Sequence, residues 1–455
     1  MTKRALALVL TTVLTFSLAG CGSTNQEQVS ADVEQQVENT DNGPVELTVW
    51  GAPEESTMLK KQVDSFIKEY EGQAQFDIKV EAVKEEECKD AVLENMAEAA
   101  DVFAFRNKQL APLVAAGALS AVQVPDMVEI EVSAKAFERA SFEKTLYAYP
   151  MATDGGYVVY YNKALMTAAE AGGSTDTLTY KAKALEKKIA LNMSDAELLC
   201  HFWSYGEMYV RVNEEGTGNE TNFDKMAGMY HTDAMIQGLI DMDYTGTIID
   251  LDYEETLEAV KNEEVIAFIA PVAFKEEVEK VLGENCGIAK FPQFIIKNGT
   301  TKPGTSLDYR MFGVNACSKH IDWAHKLARY LTTEENQLMR LKETGARPCN
   351  AKAASSTLAV SDPVIKAINA EEKSSFVMDA LPGYEVAVTS FVKWFMAQDF
   401  PPFEDVTDEE TGKVVLDALD RIHKFAPYLA DWKAAIENGQ AYEPEVKGVI
   451  ADVQE

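Results

Sequence analysis

The stretch ELTVWG at residues 46–51 alternates polar and apolar side chains, as a half-buried β-strand does. Apolar residues then recur at helical spacing from Met58 to Tyr70, and residues 76–80 predict a second strand. A charged helical stretch over residues 85–99 leads to a third strand at residues 101–105. Because strands alternate with helices, the sequence predicts an α/β fold.

The alternation continues less regularly towards the carboxyl terminus. A helix is predicted to end near Gly117, because glycine readily takes the left-handed conformation that closes many helices. A strand is predicted at residues 157–161, an apolar run covers residues 265–269, and helices are predicted at residues 181–188, 234–242, 323–331 and 415–422. The absence of a dividing Pro/Gly-rich linker would be explained by two lobes that several crossings of the chain connect.

The amino terminus has the features of an export signal. Lys3 and Arg4 precede an uncharged stretch that ends in LAGC at residues 18–21. The position of Cys21 resembles the bacterial lipobox, in which the cysteine is diacylated and becomes the mature amino terminus. The apolar run is shorter than the roughly 20 residues of a spanning helix, so the lipid would hold the protein to the membrane. An ordinary cleaved signal peptide with an incidental cysteine is the alternative.

The segment after Cys21 is predicted to be a disordered tether. Residues 22–44 contain no aromatic residue, and their only large apolar residues are three valines. Such a segment cannot bury enough surface to offset the entropy lost on ordering. The sequence therefore predicts a signal peptide over residues 1–20 and a lipidated tether over residues 21–44, with a flexible span of roughly 25–30 Å.

The formal net charge of −32 limits the possible partners. So acidic a surface repels phosphate backbones, and no clustered basic face offsets it, so we expect no nucleic-acid partner. We interpret the acidity as a source of solubility at a cell surface rather than as a cation-binding feature.

The cysteines and histidines give no sign of a disulfide framework, a metal site or a catalytic site. Once Cys21 carries lipid, an odd number of cysteines remains and none has CxxC spacing, so we expect free and mostly buried thiols. The sequence has no HExxH, GxSxG, P-loop or GxGxxG motif. We therefore expect no metal, no cofactor, no catalytic residue and no enzymatic activity.

A series of short segments resembles the extracellular solute-binding proteins of ABC importers, with most likeness to the maltose and maltodextrin branch. The segments are LTVWG (47–51), DVFAF (101–105), LVAAGAL (113–119), YAYPM (147–151), YYNK (160–163), FGVNA (312–316), SKH (318–320), LTTEENQ (331–337) and ARP (346–348). Each is weak alone, but their order covers nearly the whole chain beyond residue 44.

The resemblance implies a two-lobe α/β fold of the periplasmic-binding-protein type, with a ligand cleft between the lobes and a hinge of several strands. The first lobe would comprise residues 45–152 and 309–358, and the second residues 155–305 and 362–452. The chain would cross between them near residues 152–154, 307–310 and 361–363.

The resemblance also implies a function. The protein would be a monomeric, lipid-anchored component on the extracytoplasmic face of the cell membrane. It would capture an oligosaccharide of the maltodextrin kind and deliver it to the transmembrane permease subunits of an ABC transporter.

The ligand contacts that the resemblance implies come from both lobes and from the hinge. They are Glu54, Phe105, Lys108 and Asp154, then Trp203, Tyr205, Phe274, Tyr384 and Glu385. Two positions where relatives present a tryptophan differ here: one is Val272, and the other falls in the segment PGYE at residues 382–385. Stacking would then depend on Phe105, Phe274, Tyr384 and Trp203.

Several of these residues have structural alternatives. Phe105 could belong to the core, Trp203 could pack a helix, and Asp154 could be an ordinary turn residue. Tyr309 and Arg310 lie at a predicted crossing, where a hinge ion pair is the alternative to a ligand contact.

The function has alternatives too. Glu54, Asp154 and Glu385 could form an acidic cleft for a peptide or a small cationic solute. A tethered glycoside hydrolase would consume its ligand, and a surface adhesin would have a cleft that does not close.

Overall fold

The computed structural model describes residues 43–203, 209–213, 217–225, 245–296, 299–301, 305–376, 380, 383–396, 406–407, 414–416 and 426–442. Two large β-sheets dominate these residues, and helices pack against both. The first sheet has six strands and the second has five.

The strands follow one another through both sheets and several small hairpins. In chain order they are β1 Val45–Gly51, β2 Phe76–Ala82, β3 Val102–Arg106, β4 Ser141–Phe142, β5 Thr145–Leu146, β6 Ala148–Asp154, β7 Tyr157–Asn162, β8 Lys188–Leu191, β9 Val210–Val212, β10 Asn219–Thr221, β11 Ile248–Asp250, β12 Val265–Pro271, β13 Cys286–Ala289, β14 Phe294–Ile296, β15 Gly299–Thr301, β16 Asp308–Val314, β17 Arg347–Pro348, β18 Val406–Thr407 and β19 Val414–Leu416.

Helices connect most of the strands. In chain order they are α1 Ser56–Glu69, α2 Glu85–Glu94, α3 Leu110–Ala115, α4 Pro125–Glu131, α5 Ala134–Arg139, α6 Ala168–Ala171, α7 Thr175–Ala184, α8 Ala196–Trp203, α9 Tyr253–Lys261, α10 Lys275–Leu282, α11 Ile321–Tyr330, α12 Glu334–Thr344, α13 Ala351–Ala354, α14 Thr357–Ser361, α15 Pro363–Glu371, α16 Tyr384–Met396 and α17 Ala426–Asn438. Short 3₁₀ turns lie at Pro53–Glu55, Asn107–Gln109, Phe223–Lys225, Val272–Phe274, Gly283–Asn285 and Glu372–Ser374.

The first sheet has the strand order β17-β6-β16-β3-β1-β2. Strands β1, β2 and β3 are parallel, and β16 is antiparallel to both of its neighbours, β3 and β6. It follows that β6 runs in the same direction as β3. The alternation predicted for β1 is present, with Val45, Leu47 and Val49 buried in the core.

The second sheet has the strand order β11-β8-β12-β7-β13. Strands β8, β11 and β12 are parallel, whereas β7 is antiparallel to both β12 and β13. One face of this sheet shares a core with the first sheet, and the other packs against α7, α8, α16 and α17.

The chain passes from the first sheet to the second through a pair of glycines. Strand β6 ends at Asp154 and β7 begins at Tyr157, with Gly155 and Gly156 between them at φ +76° and +95°. A Cβ at Gly156 would lie 2.8 Å from Ile368 Cδ1, so both the backbone conformation and the space require glycine there.

A second connection runs beside the first. Residues 305–307 lead from the second sheet into β16, and the backbone N–H of Tyr157 donates to Thr305 Oγ1 at 3.0 Å. Ser306 also pairs with Phe376 as an isolated parallel bridge. These hydrogen bonds tie the connecting segments to one another.

Three sequence-based expectations for secondary structure are corrected. The helix expected at residues 181–188 ends at Ala184, because Glu186 takes φ +54° and the chain turns into β8. The helix expected from residue 415 begins as β19, whose residues Val414 and Leu416 pair with β18. Helix α2 ends at Glu94, and the helix expected at residues 234–242 lies outside the described residues.

The described cysteines are unpaired and differ in exposure. Cys88, Cys200 and Cys349 are buried, Cys286 is half-buried and Cys317 is exposed. Among the described helices, none is both long enough and apolar enough to span a bilayer.

Candidate functional site

Charged residues collect at the carboxyl edge of the first sheet. Strands β1, β2, β3 and β6 all end at this edge, and the antiparallel β16 begins there. In open α/β sheets, ligands bind outside the carboxyl ends of the strands. The residues at this edge are Glu54, Glu55, Glu85, Glu86, Arg106, Lys108, Asp154, Asp308 and Arg310.

A buried ion network lies beneath this edge. Arg310 Nη2 lies 2.8 Å from Glu55 Oε1 and 2.7 Å from Glu85 Oε1, and its Nε lies 2.9 Å from both Glu85 oxygens. Arg340 Nε reaches Glu55 Oε2 at 3.2 Å from the opposite side. The network fixes the carboxyl ends of β1 and β2 against β16.

The network shifts the acidity of its two glutamates in opposite directions. Burial acts to raise the pKa of Glu55, but the charges of Arg340 and Arg310 outweigh it and hold this pKa below its usual range. For Glu85, burial is the stronger influence, and its pKa is raised despite the hydrogen bonds from Arg310. The arginines therefore stabilise the charged form of Glu55 more effectively than that of Glu85.

Tyr309 and Arg310 have the contacts expected of structural residues. Tyr309 has no exposed surface, and Arg310 is only 6% exposed. The partners of Arg310 Nε and Nη2 are the carboxylates of Glu55 and Glu85, with Asp154 nearby. For the Nε and Nη2 groups of Arg310, the structure thus favours the hinge ion pair over a ligand contact.

Asp154 is the last residue of β6, not a turn residue. Its Oδ2 lies 3.4 Å from Arg106 Nη2 and 3.6 Å from Arg310 Nε. Burial raises the pKa of Asp154, and the two arginines act against that increase. A third of the side chain remains exposed, so the carboxylate can still reach a ligand.

Phe105 is a core residue. It has no exposed surface, its ring centroid lies 5.7 Å from that of Phe103, and a Cβ at Gly313 would come within 2.8 Å of its ring. A ring with no exposed face cannot stack on a ligand, so the structure favours the core alternative. Glu54 and Lys108, by contrast, are exposed at the edge.

The carboxyl edge of the second sheet is formed around Asp195, which follows β8. The hydroxyl of Tyr157 donates to Asp195 Oδ2 at 2.8 Å, and the hydroxyl of Tyr253 donates to the same oxygen. Phe274 packs beside Tyr253 with ring centroids 5.0 Å apart, and both rings are partly exposed. This edge therefore combines a hydrogen-bonded carboxylate with an aromatic pair.

Asp195 also begins helix α8. Its Oδ1 accepts the backbone N–H groups of Glu197 and Leu198 at 3.0 and 3.1 Å, which caps the amino terminus of the helix. Oδ1 thus accepts hydrogen bonds from the helix and Oδ2 accepts them from the tyrosines, so the carboxylate is held in one orientation.

His201 links α8 to the connection between the sheets. Its Nδ1 donates to the Glu197 carbonyl at 2.7 Å, and its Nε2 accepts the backbone N–H of Ser306 at 2.8 Å. The Ser306 hydroxyl donates to Glu197 Oε1 at 2.6 Å. Burial lowers the pKa of His201 to about 4, so the ring is neutral when it accepts the Ser306 N–H.

Two of the remaining predicted contacts begin α16, where Tyr384 is close enough to the second edge for the charges of Glu197 and Asp195 to act on its hydroxyl. Tyr384 is buried in the core of the second sheet, and Glu385 accepts the backbone N–H of Gly383 at 2.6 Å. The Trp203 side chain, Tyr205 and Cys21 lie outside the described residues.

Several residues at the two edges were not predicted from the sequence, among them Arg106, Asp308, Asp195 and Tyr253. Each lies at or within four positions of a strand terminus. A search for polar and aromatic residues at or just beyond the carboxyl ends of parallel strands would have selected all of them except Asp308, which begins the antiparallel β16.

Two α/β sheets with adjoining carboxyl edges, connected by short crossings, define a two-lobe binding protein. Residues 65–370 match the family described as bacterial extracellular solute-binding protein, and the chain belongs to that family. Its members are exported binding proteins, which agrees with the expectation that the chain is exported and is not an enzyme.

Individual relatives agree with the family assignment. The galactooligosaccharide-binding protein of Bacillus subtilis (strain 168) is 24% identical over 386 residues, covering 82% of this chain and 87% of the relative. The ligand-free maltodextrin-binding protein MalE1 of L. casei BL23 superposes with a TM-score of 0.67 at 20% identity, over 87% of this chain and all of that protein.

A second solved structure supports the same fold. A cyclo/maltodextrin-binding protein complexed with maltotetraose gives a TM-score of 0.65 at 18% identity, covering 88% of this chain and 98% of that protein. The predicted two-lobe α/β fold is confirmed by these likenesses.

Proposed function

We propose that this protein is the substrate-binding component of an ABC importer and binds an oligosaccharide between the two carboxyl edges. The observation that carries the proposal is their complementary chemistry. The first edge offers carboxylates such as Asp154, and the second offers the ring pair of Tyr253 and Phe274. Sugar rings need both, because their C–H faces stack on aromatic rings and their hydroxyls bind carboxylates.

The relatives support the same ligand class. Their names refer to galactooligosaccharide and maltodextrin, and not to peptides or cationic solutes. We therefore prefer an oligosaccharide to the peptide or cationic alternative.

The proposed contacts divide between two lobes. The first lobe, residues 45–152 and 309–358, would contribute Glu54 and Lys108. The second, residues 155–305 and 362–452, would contribute Phe274, Asp195 and Tyr253. Asp154 lies at the first crossing, and the passage of the chain from β6 to β7 supports a hinge at that point.

A thermal-shift screen of the purified protein tests the ligand class. The ligands would be maltotetraose and galactooligosaccharides, with peptides and polyamines as comparison sets. A ligand that binds only the folded state raises the melting temperature in a concentration-dependent way. A shift with the sugars alone supports the proposal, whereas a shift only with peptides or polyamines replaces the ligand class.

Asp154→Ala tests the site. We expect the affinity for the bound sugar to fall by about 1–3 kcal/mol, because the variant leaves ligand hydroxyls without their acceptor. Isothermal titration measures the change. Asp322→Ala is a matched control, since Asp322 accepts a hydrogen bond from Gln123 on an exposed face. Equal affinities of the two variants would place Asp154 outside the site.

We also propose that Cys21 carries the lipid that anchors a monomer beside its permease subunits. A lipid anchor would keep the binding protein near the transporter without a spanning helix. Cys21→Ser is expected to release the protein from membranes into the medium, as fractionation and immunoblotting would show. Retention of this variant on membranes would argue against lipidation.

A further inference from the structure

Two carboxylates face one another at the hinge side of the first edge. Asp154 and Asp308 are direct partners in the ladder between β6 and β16, and their side chains are 33% and 30% exposed. Like charges directly opposite each other on neighbouring strands repel, and the charge of Asp308 raises the pKa of Asp154. A positive charge close to both carboxylates would offset this repulsion.

Arg106 lies between these two carboxylates. Its Nη1 is 3.0 Å from Asp308 Oδ2 and its Nη2 is 3.4 Å from Asp154 Oδ2. Its Nε is held by Glu86 at 2.8 Å. The guanidinium is thus fixed by carboxylates from α2, β6 and β16, and each of its nitrogens contacts a different one.

The arrangement leaves one oxygen of Asp154 available. For both arginines that approach Asp154, the recorded ion-pair contact is to Oδ2. Within the described part of the chain, no hydrogen bond from the protein reaches Oδ1, and the oxygen belongs to a partly exposed side chain. Oδ1 is therefore an acceptor that the protein itself does not use.

We propose that Arg106 is a positioning residue of the ligand site. It bridges Asp154 and Asp308, keeps Asp154 ionised, and turns Oδ2 inward so that Oδ1 can accept a ligand hydroxyl. The proposal rests on the proposed function, because Asp154 is taken as the ligand contact. Arg106 acts through Asp154, as its own nitrogens are held by protein carboxylates.

Arg310 cannot replace Arg106 in this role. The charged groups that act on Asp154 from neighbouring elements are Asp308 and Arg310 on β16, Arg106 on β3 and Glu55 on the first 3₁₀ turn. Glu85 on α2 lies beyond them and pairs with both arginines. The Nε and Nη2 groups of Arg310 are already bound by Glu85 and Glu55. Without Arg106, the surroundings of Asp154 would become more negative.

A titration of the ligand-free protein tests the electrostatic part. The Asp154 carboxyl signal, identified by its loss in Asp154→Asn, would be followed by ¹³C NMR. We expect its midpoint to rise in Arg106→Gln and to rise by a smaller amount in Arg106→Lys, which keeps the charge but not the guanidinium fork. Arg329→Gln, which breaks the distant pair with Glu131, is the matched control and should leave the midpoint unchanged.

The outcome of this titration decides the role of Arg106. An unchanged midpoint in Arg106→Gln would overturn the proposal, whatever the protein binds. If Arg106→Gln does not fold, Arg106→Lys provides the comparison. Lysine is a point charge that cannot bridge both carboxylates as the guanidinium fork does, so a small upward shift is expected and no shift overturns the proposal.

Affinity for maltotetraose across pH tests the functional part. We expect Arg106→Gln to bind about tenfold more weakly than wild type at pH 7, and the difference to grow as the pH falls to 5. A difference that is independent of pH would indicate a merely structural role and count against the proposal. A shifted Asp154 midpoint in a protein that binds no oligosaccharide would support the Arg106 assignment while removing the proposed ligand.

Discussion

The carboxyl edges of the two sheets have the same topological position but differ in chemistry. At the first edge, Arg310 and Arg106 are surrounded by carboxylates, and ion pairs hold the side chains in place. At the second edge, Asp195 is held by two tyrosine hydroxyls beside a ring pair, and the neighbouring His201 is neutral. In the proposed cleft, the first edge would form an ionic wall and the second an aromatic wall whose carboxylate is held by hydroxyls.

The difference indicates which wall is more sensitive to substitution. A buried charge that loses its partner is strongly destabilising, because the remaining charge has neither water nor a counter-ion. A hydroxyl that loses its acceptor costs less, since it is neutral. We therefore expect the ionic wall to tolerate single changes less well than the aromatic wall.

The largest expected effect is that of Arg310→Met. This variant leaves Glu55 and Glu85 buried together, and we expect the free energy of unfolding to fall by about 3–5 kcal/mol. Urea unfolding followed by circular dichroism measures the change. Arg329→Met removes a more exposed pair with Glu131, and it should cost no more than about 1 kcal/mol. If the two variants were equally stable, the ionic wall would be no more sensitive to substitution than an exposed ion pair.

A smaller loss is expected from Asp195→Ala on the aromatic wall. The variant removes the cap of α8 and leaves Tyr157 and Tyr253 without their acceptor, so about 2 kcal/mol should be lost in urea unfolding. Asp195→Asn keeps an oxygen in the same place and should recover most of the loss. An asparagine variant as unstable as the alanine variant would mean that the negative charge matters here too.

The most gradual effect expected, and the smallest for a change of one pH unit, is a pH dependence from His201. Its pKa is about 4 in the folded protein, below the ordinary 6.5, so the unfolded chain binds more protons between these values. Stability should therefore be lost as the pH falls from 6.5 to 4, by at most about 1.4 kcal/mol per pH unit. Urea unfolding across this range should show a shallower slope for His201→Gln.

A second histidine provides the comparison for that slope. His325 lies near β6, contacts Tyr149 and Ser120, and burial also lowers its pKa to about 4. His325→Gln should reduce the slope by a similar amount. If His201→Gln kept the full slope while His325→Gln lost it, the acid sensitivity would belong to the first sheet alone.

Much of the fold follows from local patterns in the sequence. Strands β1 and β3 and helices α1 and α11 lie within a few residues of their predicted positions, because alternation and helical spacing are local features. Short apolar runs are ambiguous by the same criterion. The run at residues 414–416 is a strand because β18 pairs with it, and that pairing is not visible in its own sequence.

The site was less predictable because distant pairings create it. Asp154 was found through its resemblance to a family motif, but Arg106 and Asp308 are 202 positions apart and meet only through the ladder of β3, β16 and β6. Phe105 occupied a favourable motif position, yet β3 is a central strand with both faces covered, and its ring is enclosed.

The placement of β16 has a consequence for how the protein is made. This strand lies between β3 and β6, so the first sheet remains open until residues 308–314 have been synthesised. A nascent or truncated chain that ends earlier would expose unpaired edges on β3 and β6, which are templates for aggregation. The amino-terminal sheet is thus completed late, and a protein destined for export would benefit from staying unfolded until its whole length has passed the membrane.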